Sequence, residues 1–288
     1  MEIGWIGTGI MGAPMARRLL VAGHHLRVFN RSAEKAMPLR QYGATVSPDP
    51  AAAASGTEAV FMMVPDTPDV EMVVAKIEPV LAPNQLVIDM STIAPGSERA
   101  TAARLAPRNI HCLDAPVSGG ETGAIEGTLT IMVGGEAPAF ERAKPLLAHL
   151  GKQITYMGPA GSGQLTKLCN QIAVAVTLEA AAEALRLAAS GGLDPSTVLE
   201  AIGAGAASSW QLKNLGPKII ARDWRPGFFI KLIRKDLRLV QEAARHSGLA
   251  LPGLAMMTSM FNSASALGHD LDGTQAVAAA LDRIAMVK

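Results

Sequence analysis

Residues 3–20 read as an apolar strand, a glycine turn and a helix without a break, and no other stretch limits the fold so strongly. The turn is Gly7-Thr8-Gly9-Ile10-Met11-Gly12, a G-x-G-x-x-G pattern between Ile3-Gly4-Trp5-Ile6 and Ala13-Pro14-Met15-Ala16-Arg17-Arg18-Leu19-Leu20. Each glycine answers a separate steric demand. Gly7 permits the tight exit from the strand, Gly9 lets the main chain approach a pyrophosphate, and Gly12 lets the helix pack close to the sheet. The free N–H groups and the positive end of the helix dipole then face the phosphate oxygens.

The second strand bears on which dinucleotide is held. His25-Leu26-Arg27-Val28-Phe29-Asn30 ends about 20 residues after the turn, where an acid would take a ribose 2′-hydroxyl. No acid stands there. The strand runs into Asn30-Arg31-Ser32, and the first acidic side chain is Glu34. A guanidinium forks two phosphate oxygens and stays charged, so Arg31 with Ser32 favours a 2′-phosphate, and NADP(H) over NAD(H). The plain alternative is a solvated arginine in a turn. Asn30-Arg31-Ser32 also matches a glycosylation sequon, which is discounted for want of a secretory signal.

Length and charge exclude several classes. The 288 residues fit two domains, and 49% hydrophobic with 18% charged residues suits a chain that buries a sizeable core. A net charge of +1 gives no field for nucleic acid or an anionic membrane. Apolar runs are broken by Glu, Pro and Gly before they reach bilayer length. A core strand begins within two residues of the start, so no targeting peptide is expected, and the expected compartment is the cytoplasm. Cys112 and Cys169 make neither a disulfide framework nor a zinc site, and no histidine pair has HxxxH spacing.

Strand-like and helical runs alternate through the first half. Strands are expected over 58–64, 85–89, 110–114, 128–133 and 153–157, with helices over 32–42, 70–81 and 96–105. Apolar strands spaced by helices predict a parallel, doubly wound α/β sheet of Rossmann type, covered on both faces. Ligands on such sheets lie beyond the carboxyl ends of the strands, so the loops at 7–12, 30–31, 64–66, 90–92 and 115–120 should converge. From 163 the character changes. A helix over 164–190 is rich in Ala, Leu and Glu, spans roughly 40 Å and stops at Gly191-Gly192. Being apolar nearly all round, it is expected to be central or at an interface. Further helices are expected over 195–203, 231–247, 254–265 and 275–286. The expected division is a nucleotide-binding domain over 1–162 and an all-α domain over 163–288.

Three stretches carry candidate chemistry. In Asp114-Ala115-Pro116-Val117-Ser118-Gly119-Gly120, the Ser118 hydroxyl and the unshielded N–H groups of Gly119 and Gly120 form a cradle for a carboxylate. The alternative is a glycine turn leaving a strand, and a nucleophile elbow is rejected because no glycine precedes the serine in the required place. In Gly163-Gln164-Leu165-Thr166-Lys167-Leu168-Cys169-Asn170, Lys167 and Asn170 stand three apart on one helical face. A lysine near a helix N-terminus opposes the dipole, and partial burial would lower its pKa toward the range of a working acid or base. A snorkelling surface lysine is the plain alternative. The third stretch, Phe228-Phe229-Ile230-Lys231-Leu232-Ile233-Arg234-Lys235-Asp236, reads as core aromatics followed by solvated charge.

Taken together these residues resemble the β-hydroxyacid dehydrogenase family, the group of 3-hydroxyisobutyrate dehydrogenase, tartronate semialdehyde reductase and glyoxylate/succinic semialdehyde reductase. Residues 6–16 resemble its N-terminal signature, 114–120 its substrate segment, 163–170 its catalytic segment and 235–237 its cofactor-contacting segment. The resemblance implies that Lys167 is catalytic, that Ser118, Gly119, Gly120 and Asn170 bind substrate, and that Val64, Pro65, Thr92 and Lys235 contact cofactor. It also implies a homodimer or homotetramer built through the helical domain.

The expected activity is NADPH-linked reduction of a small carboxylated aldehyde, with Lys167 as general acid. The alternatives are oxidation of a 3-hydroxy acid by the same site and, from another class, a catalytically silent nucleotide-binding scaffold. An imine reductase is disfavoured by Lys167, and a 6-phosphogluconate dehydrogenase by the short helical region. Trp210, Leu212, Phe228, Phe229 and Ile233 are the residues on which pocket size would depend.

Overall fold

In the computed structural model, which describes residues 1–284, the N-terminal apolar run is a central strand paired in parallel on both sides. The chain divides into two compact units, Met1–Lys167 and a second that begins at Leu168.

The first unit runs β1 (Glu2–Ile6), α1 (Gly12–Val21), β2 (His25–Phe29), β3 (Thr45–Val46), α2 (Pro50–Ala54), β4 (Ala59–Met62), α3 (Thr67–Ile77), β5 (Leu86–Asp89), α4 (Pro95–Leu105), β6 (His111–Asp114), β7 (Val117–Ser118), α5 (Gly120–Glu126), β8 (Leu129–Gly135), α6 (Ala137–Leu147) and β9 (Gly151–Gly158). Apolar side chains alternate across the central strands and fill two cores. Trp5, Phe61 and Ile88 face α1 and α6, and the Trp5 and Phe61 rings stack at 5.4 Å. Ile6, Val60, Met62 and Val87 face α2, α3 and α4 on the other side. With both faces covered, the strands read as nearly continuous apolar runs, as expected for a doubly wound sheet.

The sheet is predominantly parallel, as expected, with an antiparallel step where the later strands extend it. Strands β1 to β6 pair in parallel, but β8 runs antiparallel to β6 and to β7. The register of β7 on β8 continues that of β6 on β8, and Met132 N–H donates to Pro116 O between them at 3.1 Å. Strands β6 and β7 are therefore one ladder interrupted at Ala115-Pro116, where proline cannot donate. That continuity sets Ser118 four residues along from Asp114 on the same edge of β8.

Local proline chemistry explains other departures. The helix expected over 32–42 is two 3₁₀ turns, Ala33–Lys35 and Met37–Tyr42, with Pro38 at the start of the second. The helix expected over 70–81 begins earlier, at Thr67 behind its Asp66 cap, and gives way at Glu78-Pro79 to a 3₁₀ turn. Helices α5 and α6 and the short pair β3 and α2 were not expected. Helix α6 keeps Pro145 in its last turn and opens with Pro138, features that mask its periodicity.

A 29-residue helix, α7 (Ser162–Ser190), starts in the first unit and continues into the second. There follow α8 (Pro195–Gly203), α9 (Trp210–Ile220), α10 (Ile230–His246), α11 (Pro252–Ala266) and α12 (Val277–Ile284). Helix α9, with Pro217 inside it, was not expected. The last expected helix divides into a 3₁₀ turn, Thr274–Ala276, and α12, while residues 285 and 286 lie outside those described. Helix α7 is less uniformly covered than its composition suggests: Ala175, Leu178, Ala182 and Leu185 are buried, whereas Leu187 is 74% exposed.

Candidate functional site

The parallel register brings the strand ends level. Phe29, Ile6, Met62, Asp89 and Asp114 are successive partners across β2, β1, β4, β5 and β6, so the loops that follow them leave one edge of the sheet together.

The glycine turn leaves β1 at that edge. Gly7 has φ of +100°, a conformation that only glycine adopts cheaply, and its N–H donates to Phe29 O at 2.8 Å. A Cβ on Gly12 would strike the carbonyl oxygen of Gly7, so helix α1 can begin where it does only with glycine there. Gly9 differs. A Cβ on it would meet no protein atom within 4 Å, so the space beside it is open to a ligand. Ile10 and Met11 are half-buried and lead into the helix.

Asn30 braces the turn from β2. Its Oδ1 accepts the Thr8 N–H at 2.9 Å, and its Nδ2 donates to Ser32 O at 3.0 Å. Its side chain is thus committed to shaping the turn. The Thr8 hydroxyl is buried and finds no protein partner among the described residues. Arg31 is 80% exposed and forms an ion pair with Asp69 of α3 at 3.5 Å. The open side of Gly9, the orphaned Thr8 hydroxyl and the exposed guanidinium of Arg31 fit a dinucleotide laid across the turn.

The next two loops are stitched to each other. Val64 N–H donates to Ser91 Oγ at 2.9 Å, Ser91 N–H donates to Asp89 Oδ1 at 2.9 Å, and Ala94 N–H donates to Thr67 Oγ1 at 3.0 Å. Val64 and Thr92 are half-buried and Pro65 is exposed along this rim. Ser118 closes β7; Gly119 and Gly120 follow with φ of +136° and +64°, and Gly119 caps the short α5.

Helix α7 is anchored to the same edge. The Asp114 carboxylate accepts Gly161 N–H and Gln164 N–H, each at 2.8 Å. The Gln164 side chain, fully buried, accepts from Ile93 N–H at 3.0 Å and donates to Ser91 O at 2.9 Å. Lys167 is on the next turn and is buried, 7% exposed. Burial pushes the Asp114 carboxyl up to about 6, against the pull of the Gly161 and Gln164 N–H groups. Glu98 of α4, buried beside Asp89, is held well above the usual carboxylate range by burial, then by the charge and hydrogen bond of Asp89 and the charge of Asp114. Burial likewise pushes the Cys112 thiol up to about 12, so it is inert at neutral pH.

Asn170 and Lys235 belong to the second unit, where a buried polar chain links them. Asn170 Nδ2 donates to Gln171 Oε1 at 2.8 Å, Gln171 Nε2 donates to Asp236 Oδ2 at 2.5 Å, and Lys235 Nζ pairs with Asp236 Oδ1 at 2.7 Å. Asp236 is 2% exposed, which corrects its reading as solvated charge. Sequence reasoning passes over Gln164, Gln171 and the buried state of Asp236. An aspartate closing each of two adjacent apolar strands, at 89 and 114, was a usable signal for the first unit; nothing in the spacing of residues 171 and 236 marks them as partners. Of the residues expected to shape a pocket, Leu212 and Ile233 are buried, Phe228 and Phe229 are half-buried, and Trp210 is 58% exposed.

Comparison with known proteins agrees with this geometry. A family model described as the NAD binding domain of 6-phosphogluconate dehydrogenase matches residues 2–158. A second, described as NAD-binding of NADP-dependent 3-hydroxyisobutyrate dehydrogenase, matches residues 161–280. The chain is 41% identical to the 2-hydroxy-3-oxopropionate reductase of Escherichia coli (strain K12), covering 99% of this chain and 98% of that one. It is 38% identical to an NAD-dependent L-serine dehydrogenase of Pseudomonas aeruginosa, covering 90% and 91%. Among solved structures, a Mycobacterium tuberculosis 3-hydroxyisobutyrate dehydrogenase with L-serine superposes with a TM-score of 0.90 at 32% identity, covering 97% of this chain and 98% of that one. The chain belongs to the β-hydroxyacid dehydrogenase family and is an NAD(P)-dependent oxidoreductase of hydroxy acids.

Proposed function

We propose that the protein reduces a small carboxylated aldehyde, of the class of glyoxylate, succinic semialdehyde or tartronate semialdehyde, to the hydroxy acid with NADPH. The observation that carries the reading is Lys167, a lysine only 7% exposed, one turn into a helix whose start is clamped to β6 and to the loop after β5. A buried amine held on a rigid element is suited to proton transfer at a defined atom. In the reductive direction the Lys167 ammonium polarises the carbonyl oxygen and donates its proton to the alkoxide as it forms. The chemistry supplied by a bound nicotinamide is a hydride from C4 to the carbonyl carbon.

Ser118 and the N–H groups of Gly119 and Gly120 hold the substrate carboxylate, with Asn170 as a further substrate contact. Gly7, Thr8, Gly9, Ile10, Met11 and Gly12 hold the pyrophosphate, while Val64, Pro65, Thr92 and Lys235 line the cofactor farther along. Preference for NADPH is supported by Arg31 and Ser32 at the end of β2, in the absence of an acid there. Asn30 acts in this reading through the turn that it braces.

The test is NADPH consumption with each of the three aldehydes, repeated with NADH and with the corresponding hydroxy acids plus oxidised cofactor. The reading expects the fastest turnover with NADPH and an aldehyde. Activity confined to NAD-linked oxidation of a 3-hydroxy acid would replace it with the dehydrogenase reading.

A homodimer or homotetramer through the helical unit is part of the proposal. It is supported by Leu187, 74% exposed near the end of the Ala-rich α7, and is tested by light scattering of the purified chain. A reducing compartment such as the cytoplasm is supported by two cysteines that are both free. Among the described residues no helix is long and apolar enough to cross a membrane.

A further inference from the structure

We infer that Asp114 is a positioning residue for Lys167: by clamping the first turn of α7 it fixes the point from which the lysine amine reaches the substrate. The inference rests on the reading of Lys167 as proton donor.

Both carboxylate oxygens of Asp114 are committed to the opening of the helix. Oδ1 accepts from Gly161, just before the helix, and Oδ2 accepts from Gln164 within its first turn, each at 2.8 Å. The opening N–H groups of a helix have no partner inside it, so an external acceptor decides whether the first turn holds or frays. The space for this acceptor is made by two missing side chains. A Cβ on Gly134 of β8 or on Gly163 of α7 would fall against the Asp114 carboxylate. Gln164 extends the clamp across the sheet edge to Ser91 and Ile93. Lys167 follows three residues later. An amine on a long flexible stem transfers a proton well only if its origin is fixed, since small misplacements at a reacting centre are costly.

The clamp depends on charge. A carboxylate accepts both N–H groups, whereas a carboxylic acid turns one oxygen into a donor that faces a donor. The titratable groups facing Asp114 are Asp89 at the end of β5, Glu98 on α4 and Cys112 on its own strand; Arg99 of α4 lies against Gly161. Glu98 is held well above the usual carboxylate range by burial and by Asp89, and Cys112, pushed up to about 12 by burial, keeps its proton at neutrality. Asp114, pushed up to about 6, gives up its charge as the pH falls through that value.

The experiment compares wild type, Asp114→Asn and Lys167→Ala in NADPH-linked reduction of the best aldehyde, from about pH 5 to about pH 9. It is paired with the amide resonances of Gly161 and Gln164 in 15N-labelled wild type over the same range. Expected for wild type is an acid limb near pH 6, and for Asp114→Asn a kcat lowered about 10- to 100-fold, a KM for NADPH within about threefold, and loss of that limb. In wild type the two amides should titrate together with a midpoint near 6, a readout that stands even if the variant does not fold. A kcat for Asp114→Asn within about twofold of wild type, or amides that do not titrate between about pH 5 and 7, would overturn the inference. Lys167→Ala separates the layers. Should it stay active, the reading of Lys167 falls and this inference with it; should it be inactive while Asp114→Asn is unimpaired, only the role of Asp114 falls.

Discussion

The backbone N–H of Thr8 donates to Oδ1 of Asn30 at 2.9 Å, so the glycine turn after β1 is braced by the side chain that ends β2. The two segments that define a dinucleotide site are thereby one mechanical piece. Asn30→Ala removes the acceptor and leaves the Thr8 N–H without it. That change is expected to cost about 1–2 kcal/mol of stability and to raise KM for NADPH and NADH alike, measured by denaturant unfolding and by initial rates. Asn30→Asp retains an acceptor for Thr8 but sets a carboxylate oxygen where Nδ2 donates to Ser32 O, so it should recover only part of the lost stability.

Arg31 lies beside this brace but does not take part in it. Its guanidinium is 80% exposed, and the ion pair with Asp69 at 3.5 Å is of the weak surface kind that a phosphate can displace. Arg31→Ala is therefore expected to raise KM for NADPH about 10- to 100-fold while KM for NADH changes less than about threefold. Equal effects on both cofactors would remove Arg31 from the account of selectivity.

Gly9 and Gly12 give a paired test of what each glycine is for. Gly12→Ala drives a methyl into the carbonyl oxygen of Gly7 and should destabilise the first unit by about 1–3 kcal/mol with or without ligand. Gly9→Ala meets no protein atom and should leave the melting temperature of the unliganded protein nearly unchanged, yet weaken NADPH binding about tenfold or more. Titration calorimetry beside thermal melts separates the two cases.

Glu179 on α7 gives a pH dependence unconnected with catalysis. It is 2% exposed, and burial, helped by Glu183, pushes its carboxyl from 4.5 up to about 7. The folded state thus holds this proton more tightly than the unfolded state. Its contribution to stability falls as the pH rises from about 4.5 through 7 and is most unfavourable above that. Glu179→Gln should raise the unfolding free energy at pH 8 by roughly 1–3 kcal/mol, with the gain gone by about pH 4.5, as read by urea denaturation at both values.

Much of this was legible because it is local. Gly7 to Gly12 carry their steric demands in their spacing, and the stop at Gly191-Gly192 marks the end of α7 within a residue or two. The family likeness at residues 163–170 pointed to Lys167, and the burial that sets it apart from a surface lysine is visible only in the structure. The antiparallel turn of the sheet at β8 was not legible, since Thr128 to Val133 is as apolar as the parallel strands and pairing direction leaves no mark on composition. The same holds for partners far apart in the chain. Gln171 and Asp236 meet through the packing of α7 and α10, and a charged residue within Lys231-Leu232-Ile233-Arg234-Lys235-Asp236 looks solvated until the helix is placed. Proline misled in both directions, breaking the helix expected over 32–42 and hiding α6 and α9, where Pro145 and Pro217 are tolerated.

The most direct test of the central claim is the rate of NADPH-linked aldehyde reduction by Lys167→Ala, with NADPH affinity measured alongside by fluorescence. The account expects kcat to fall about 10²- to 10⁴-fold while the dissociation constant for NADPH stays within about twofold, because the amine moves a proton and does not hold the dinucleotide. Turnover at the wild-type rate in that variant would contradict it.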